Sequence, residues 1–470
     1  MKVEQMYTGC LAEAAYYIES NGEVAIVDPL REPQPYIDKA NAEGAKIKYI
    51  LETHFHADFV SGHLELANKT GATIVFGPTA QPSYAAHIAK DDEILELGNI
   101  KIKVLHTPGH TMESSCFLII DENGKENSVI TGDTLFIGDV GRPDLAVKGN
   151  ITQDVLAGYL FDSIHNKLLI LPDETIIYPG HGAGSACGKN MSTETIDTLG
   201  NQKKTNYALQ TKSREEFVNK VLTGLVSPPQ YFPKNAVLNK TGYGSLDEVY
   251  KNGMKALNVI EFNIAAEETH ALILDIRVPQ TFAKGYIPNS MNVGLDGSFA
   301  SWVGTLIVDL NQAILLVGDE SKIEEAITRL SRVGYDHTLG YLSGGIEAWK
   351  QANMPLETVN SISADEFVQI FDKNPEINVL DVRKKSEYDS EHIIGAENFP
   401  LDFVNRNLSE LDNSKTYYLH CQSGYRSMVM SSILKSKGYN NLIEIAGGFK
   451  ALKATNKLKI TDYVCPSTML

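Results

Sequence analysis

The chain is poor in several things, and each shortage excludes a class. Its 470 residues hold five cysteines, Cys10, Cys116, Cys187, Cys421 and Cys465. An odd number spread this thinly is no disulfide framework, and it fits a reducing cytoplasm in which thiols stay free. Positive charge is also short: the net charge is −17, which repels phosphate backbones and anionic membrane surfaces and argues against a nucleic-acid partner. No apolar run approaches the roughly 20 residues that cross a bilayer. The opening MKVEQMYTG has no basic stretch leading into an apolar one, so no secretory signal is expected. What is present, 43% hydrophobic and 21% charged residues, is the composition of a globular protein too long for one core. A small-molecule partner and a cytoplasmic location are the expectation.

Short apolar runs ending in polar residues, Ala25-Ile26-Val27-Asp28, Ile47-Lys48-Tyr49-Ile50-Leu51 and Ser128-Val129-Ile130-Thr131, read as buried strands alternating with helical stretches. Residues 227–245 carry three prolines and two glycines and read as a connector whose aromatics pack onto a domain. Beyond it lies a repeat. Leu274-Asp275-Ile276-Arg277 returns as Leu380-Asp381-Val382-Arg383 at an offset of 106, and Phe282, Ile287 and Asn292 match Tyr388, Ile393 and Asn398 at the same offset. Gly344-Gly345 answers Gly447-Gly448 at an offset of 103. Two copies of this size are two α/β domains of one ancestry rather than a solenoid. The boundaries follow as 1–250 for the first domain with its connector, 251–357 and 358–460 for the two copies, and 461–470 for a short polar tail expected to be mobile.

Four elements of the first domain carry metal chemistry. Thr53-His54-Phe55-His56-Ala57-Asp58 follows a strand directly, and Thr107-Pro108-Gly109-His110-Thr111, Thr131-Gly132-Asp133-Thr134 and Tyr178-Pro179-Gly180-His181-Gly182 follow it along the chain. Imidazoles and carboxylates at strand ends beside Gly and Pro are what a loop-built metal site needs. This constellation resembles the metallo-β-lactamase superfamily, which implies an αββα sandwich with the metal at the sheet edges. The family motif is His-x-His-x-Asp-His, and Phe59 stands where the last histidine would be. A phenyl ring cannot ligate, and two-metal hydrolysis needs both ions.

Together with Gly141-Arg142-x-Asp144, the same elements resemble the persulfide dioxygenases. That resemblance implies one Fe(II) per chain, held by His54, His110 and Asp133, with His56 and Asp58 outside the ligand set. Two imidazoles and a carboxylate on one face of iron leave positions for persulfide sulfur and dioxygen, and zinc has no redox chemistry to offer. Arg142 is expected to clamp a carboxylate of the thiol carrier or to pair with Asp139 or Asp144. Tyr178 and His181 are expected beside the site, His181 free of metal because its partner histidine is missing. Cys187 is either a persulfide-carrying thiol or a structural loop residue.

The second copy contains His420-Cys421-Gln422-Ser423-Gly424-Tyr425-Arg426-Ser427 between a strand and a helix. Backbone N–H groups of such a loop converge on the sulfur, the helix N-terminus favours negative charge there, and Arg426 offers paired donors to sulfonate oxygens. The loop resembles that of rhodanese sulfurtransferases. A related phosphatase loop would place the arginine one residue later. In the first copy Gly318-Asp319-Glu320 takes the place of the cysteine loop, so that copy reads as degenerate. The whole resembles persulfide dioxygenase–rhodanese fusions, which implies oxidation of a persulfide of glutathione, coenzyme A or another thiol by dioxygen to sulfite. Cys421 would pass sulfur to or from thiosulfate, and a homo-oligomer is implied. The rival readings are a glyoxalase II-like thioester hydrolase with an accessory sulfurtransferase, and a non-enzymatic persulfide relay.

Overall fold

The computed structural model describes residues 1–147 and 151–465. It divides into two compact units, Met1–Leu246 with Ser331–Gly334, and Asp247–Leu330 with Tyr335 onward.

The first unit is built on two six-stranded sheets. One runs in the order β1 (Lys2–Thr8), β2 (Glu13–Ser20), β3 (Glu23–Val27), β4 (Lys46–Glu52), β5 (Thr73–Phe76), β6 (His87–Ile88). The other runs from β7 (Ile94–Leu97) through β8 (Ile100–His106), β9 (Ser115–Ile120), β10 (Glu126–Gly132) and β11 (Ile176–Pro179) to β12 (Asp197–Thr198). Side chains alternate between the faces of a strand, so a strand covered on both sides is apolar throughout. In β2, Ala14, Tyr16 and Ile18 join Val27 and Leu51, together with Ile102, Phe117 and Ile130, in the layer between the sheets. Ala15 and Tyr17 face the other way, into a layer with Ile26 and Ile50 that includes Tyr36 and Ala40 of the helix Gln34–Ala42 and Leu66 of the helix His63–Thr70. Beyond the second sheet, Leu118, Val129 and Ile177 pack with Leu160 and Phe217 of the helices Gln153–Ser163 and Arg214–Leu222. The result is the expected αββα sandwich.

The connector packs as its aromatics suggested, and it becomes a helix, Phe232–Thr241. Buried Asn239 on this helix donates to the carbonyls of His56 and Phe59 at 2.8 and 2.7 Å and accepts from Ser61 N at 2.9 Å. It therefore braces the loop after β4.

The second unit contains two parallel five-stranded sheets of matching order. The first is β13 (Ala256–Leu257), β17 (Thr338–Leu342), β16 (Ile314–Val317), β14 (Leu272–Asp275), β15 (Met291–Asn292). Its counterpart is β18 (Asn360–Ile362), β22 (Leu442–Ile445), β21 (Tyr417–His420), β19 (Asn378–Asp381), β20 (Ala396–Asn398). The repeated residues do the same work in each. Arg277 Nε and Nη2 donate to the Asp275 carboxylate at 2.9 and 2.5 Å, and Arg383 repeats the fork on Asp381 at 2.9 and 2.6 Å. Asn292 Nδ2 donates to the carbonyls of Asp275 and Arg277, as Asn398 Nδ2 does to those of Asp381 and Arg383. The pairing satisfies buried polar groups at the exit of each central strand, which is why Asp, Arg and Asn recur.

The tail departs from expectation. Thr461 N donates to the His392 carbonyl at 3.0 Å and Val464 N to that of Ser390 at 2.9 Å, so these residues are pinned by backbone pairing. Residues 466–470 lie outside the described residues.

Candidate metal centre and sulfur-transfer loop

Strand ends bring the predicted donors together. β4 delivers Thr53 to Asp58, and β8 leads to His110. β10 and β11 run parallel with Gly132 opposite Pro179, which sets Asp133 and His181 side by side just past the sheet edge. His54 Nε2 and His110 Nε2 lie 3.9 and 3.5 Å from Asp133 Oδ2, and all three residues are buried. Donor atoms of His54, His110 and Asp133 fall within 4.8 Å of one another. His54 Nε2 and Asp133 Oδ2 are buried without a hydrogen-bond partner, an arrangement expensive in a protein interior unless a cation is shared.

The other ring nitrogens are committed. His110 Nδ1 donates to the Arg142 carbonyl at 2.9 Å, since a carbonyl can only accept, and this leaves Nε2 with its lone pair. For His54 the lock is a relay. Thr53 Oγ1 donates to Asp28 Oδ2 at 2.8 Å and therefore accepts from His54 Nδ1 at 3.0 Å. Burial, with the neighbouring His56, holds the His54 imidazole well below its ordinary pKa, so the ring is neutral and ligand-competent. Asp133 is pushed up by burial, but the charge and hydrogen bond of His181 prevail and hold it ionised. Thr53→Val should leave the fold intact and weaken metal retention about 10–100-fold, the usual cost of losing such an outer partner. Competition against a chelator measures it.

His56 is elsewhere. Its Nε2 lies 3.0 Å from Asp28 Oδ1, and its ring packs 4.4 Å from that of Phe59. Burial lowers its pKa, but the charges of Asp28, Glu52 and Asp58 raise it to about 9. His181 donates to Asp133 Oδ1 at 2.8 Å and meets Asp58 Oδ2 at 2.7 Å; although burial opposes charge, the two carboxylates push its pKa up, so it stands as an imidazolium. Cys187 is buried within the reach of Asp58 and His181, and burial with those carboxylates holds it as a thiol. Tyr178 is half-buried, its ring 5.3 Å from that of Tyr16.

Arg142 follows the second of its two expectations. Nε and Nη2 fork onto Asp144 at 3.0 and 2.7 Å, and Nη1 and Nη2 donate to the carbonyls of Ala186 and Val226. The neighbouring Gly141 is required: a Cβ there would stand 1.8 Å from the Asp133 carbonyl oxygen and 3.1 Å from His110 Nδ1.

In the second unit β21 ends at His420 and the helix Tyr425–Ser436 starts from Gly424, whose φ of 102° is left-handed. Gly424 N donates to Cys421 Sγ at 3.2 Å, and Ser427 Oγ lies 3.7 Å from the sulfur and 2.9 Å from Glu444 Oε1. The backbone of Cys421 and Gln422 is held from the far side by Phe449 N and Lys450 N, at 2.6 and 3.1 Å. That approach requires Gly448, at φ 57°, because a Cβ would fall 2.3 Å from the Cys421 carbonyl oxygen. Gly448→Ala should destabilise this copy by about 1–3 kcal/mol and abolish sulfur transfer, read by urea unfolding and thiosulfate turnover. Arg426 is not turned to the sulfur; its two terminal nitrogens pair with Glu387 at 2.5 and 2.9 Å. Burial pushes the Glu387 carboxyl up, but Arg426 prevails and holds it below the ordinary range. In the first copy the corresponding loop presents Glu320, whose Oε1 accepts from Gly344 N at 2.8 Å, and Gly318 supplies no thiol.

The fold and the two sites define a class: a metal-binding αββα domain joined to paired α/β domains, one with a cradled thiol. Comparison with known proteins agrees. The model for the metallo-beta-lactamase superfamily matches residues 8–181, and that for the rhodanese-like domain matches 260–352 and 363–455. A metallo-beta-lactamase from Staphylococcus aureus subsp. aureus COL is 33% identical, with a TM-score of 0.63 over 73% of this chain and 98% of that one. A probable hydroxyacylglutathione hydrolase of Schizosaccharomyces pombe is 35% identical over 41% of this chain and 75% of its own. A probable metallo-hydrolase of Bacillus subtilis is 30% identical over 39% of this chain and 90% of its own. The chain belongs to the metallo-beta-lactamase superfamily, and two rhodanese-like domains follow its metal-binding domain.

Sequence reasoning found the motif histidines, Asp133 and Cys421. It missed Asp28, Glu52 and Glu387 as parts of the sites. The one signal for Asp28 was a strand ending in an acid, in Val27-Asp28-Pro29.

Proposed function

We propose that the protein oxidises a low-molecular-weight thiol persulfide with dioxygen and passes sulfane sulfur through Cys421, in sulfide detoxification. The observation that carries the reading is the convergence of two imidazoles and one carboxylate on a single point, with Phe59 in place of a further histidine. His54 Nε2, His110 Nε2 and Asp133 Oδ2 would hold one Fe(II) per chain, and iron there would supply the redox-active centre through which dioxygen reacts with sulfur, the four electrons coming from the outer sulfur of the persulfide.

The chain's own groups do the rest. Thr53 and the Arg142 carbonyl keep the two histidines in the tautomers that present Nε2. His181, protonated between Asp133 and Asp58, sets a positive charge beside developing oxyanions. The net change is R–S–SH + O2 + H2O → R–SH + SO3²⁻ + 2 H⁺, where R–SH is glutathione, coenzyme A or a similar carrier. At the second site Cys421 takes the outer sulfur of another persulfide, releasing R–SH and leaving Cys421–S–SH. Sulfite then accepts that sulfur as thiosulfate and returns Cys421 to its starting state.

Glutathione persulfide supplied with and without dioxygen tests the reading: sulfite and thiosulfate should form only in its presence. A second reading, thioester hydrolysis, is favoured by the hydroxyacylglutathione hydrolase among the relatives. Phe59 speaks against it, and two zinc ions per chain with turnover of a glutathione thioester would restore it.

A further inference from the structure

The marks of the first metal site are convergent donors, full burial and lone pairs without hydrogen-bond partners. They recur elsewhere among the described residues. Asp28, Glu52 and His56, each 1% exposed, present one donor atom apiece within 4.8 Å of one another. His56 Nε2 lies 3.0 Å from Asp28 Oδ1 and 3.8 Å from Glu52 Oε2. At 3.0 Å the two atoms are in ion-pair range, yet among the described residues neither nitrogen of His56 has a hydrogen-bond partner of good geometry.

The carboxylates are aimed from behind. Asp28 Oδ1 and Oδ2 accept from Thr53 N and Oγ1 at 2.7 and 2.8 Å, and Glu52 Oε1 accepts from Ser61 Oγ at 2.7 Å. Each held oxygen keeps a further lone pair, and outer donors of this kind orient metal-binding carboxylates. Asp28 holds its place at a left-handed φ of 47°, unusual for a residue with a side chain. Glu13, fully buried, has no hydrogen-bond partner among the described residues for either carboxylate oxygen, and burial pushes its carboxyl well up.

We infer that Asp28, Glu52 and His56 form a second cation site, separate from the His54–His110–Asp133 centre and built for a divalent first-row ion of the zinc or manganese type. With an ion bound and the proton of His56 displaced, two carboxylates would balance a charge of +2 and a neutral imidazole would complete the set. One nitrogen and two oxygens suit zinc or manganese, where calcium takes six to eight oxygens and soft cations take thiolates. The ion would tie the exits of β3 and β4 together, and through Asp28 and Thr53 it would adjoin the lock on His54. The inference is independent of the persulfide reading and holds whichever reaction the first site runs.

The test is the metal content of the full chain, stripped and reloaded with zinc chloride or manganese chloride, then freed of excess. Glu52→Gln keeps the acceptor for Ser61 but removes the charge, and it touches none of the first site's ligands. It should bind one cation fewer per chain than the wild type. His110→Ala should also bind one fewer, and the double variant two fewer. Crystals of the zinc-loaded wild type guard against a misfolded variant: anomalous density should stand between Asp28, Glu52 and His56. Equal metal content in Glu52→Gln and the wild type would overturn the inference. So would density at the first site with none at the second, leaving His56 as an imidazolium paired with Asp28. A failed persulfide assay leaves these counts unchanged, so the two proposals fall separately.

Discussion

Asp133→Asn should abolish both binding of the proposed iron and the proposed persulfide-dependent oxygen uptake. The amide keeps the shape of the carboxylate, so the sandwich should fold, but it removes the one negative charge among the three converging donors. Oδ2 lies 3.9 and 3.5 Å from the Nε2 atoms of the two imidazoles, and no described group hydrogen-bonds it. A neutral amide there binds a divalent ion poorly. The loss should therefore exceed the ~10–100-fold expected of an outer partner such as Thr53. Oδ1 is also the acceptor for His181, so the charge that holds the imidazolium weakens at the same time. Iron content by elemental analysis and uptake on an oxygen electrode should fall in step. Transfer of sulfur from thiosulfate to cyanide, the work proposed for Cys421, should be unaffected. Uptake that persists without iron would remove Asp133 from the account.

Cys421→Ser should change the product and leave the oxidation running. The serine hydroxyl fits the cradle made by Gly424 N and Ser427 but cannot carry a sulfane sulfur. Glutathione persulfide should then yield sulfite where the wild type yields thiosulfate, with oxygen uptake close to the wild-type rate. Thiosulfate-to-cyanide transfer should disappear entirely, because the first copy has Gly318 and Glu320 where a thiol would be needed. Unchanged thiosulfate formation would mean that the joining step needs no protein thiol.

Both predictions rest on residues that could be read from the chain alone, for a definite reason. Strand-end motifs such as Thr53–Asp58 and Tyr178–His181 combine a local fold signal with a chemical one, and parallel pairing of β10 with β11 turns nearness to a strand end into nearness in space. The Asp-Arg-Asn repeat was legible because two copies solve one local problem, capping a buried strand exit, with the same residues. What stayed hidden depends on partners distant in the chain. Asn239, 183 residues beyond His56, braces the metal loop from a segment that reads as a connector. The fork of Arg142 was expected to meet either a ligand or a neighbouring aspartate, and that of Arg426 a ligand. One closes on Asp144 and two backbone carbonyls, and the other on Glu387, 39 residues earlier in the chain. An arginine in a motif announces a planar pair of donors, but only tertiary packing decides which acceptor reaches it first. Asp28 was hidden for the same reason: its role depends on Thr53 and His56 folding over it from the next strand.

The central claim is that this member of a superfamily with many hydrolases joins oxygen to sulfur at one iron. It is tested most directly by giving one anaerobically iron-loaded preparation two substrates in parallel, glutathione persulfide on an oxygen electrode and a glutathione thioester in a hydrolysis assay. One oxygen should be consumed per persulfide oxidised, with sulfite or thiosulfate formed and no thioester turnover. Thioester hydrolysis with no oxygen uptake, despite stoichiometric iron, would contradict that claim.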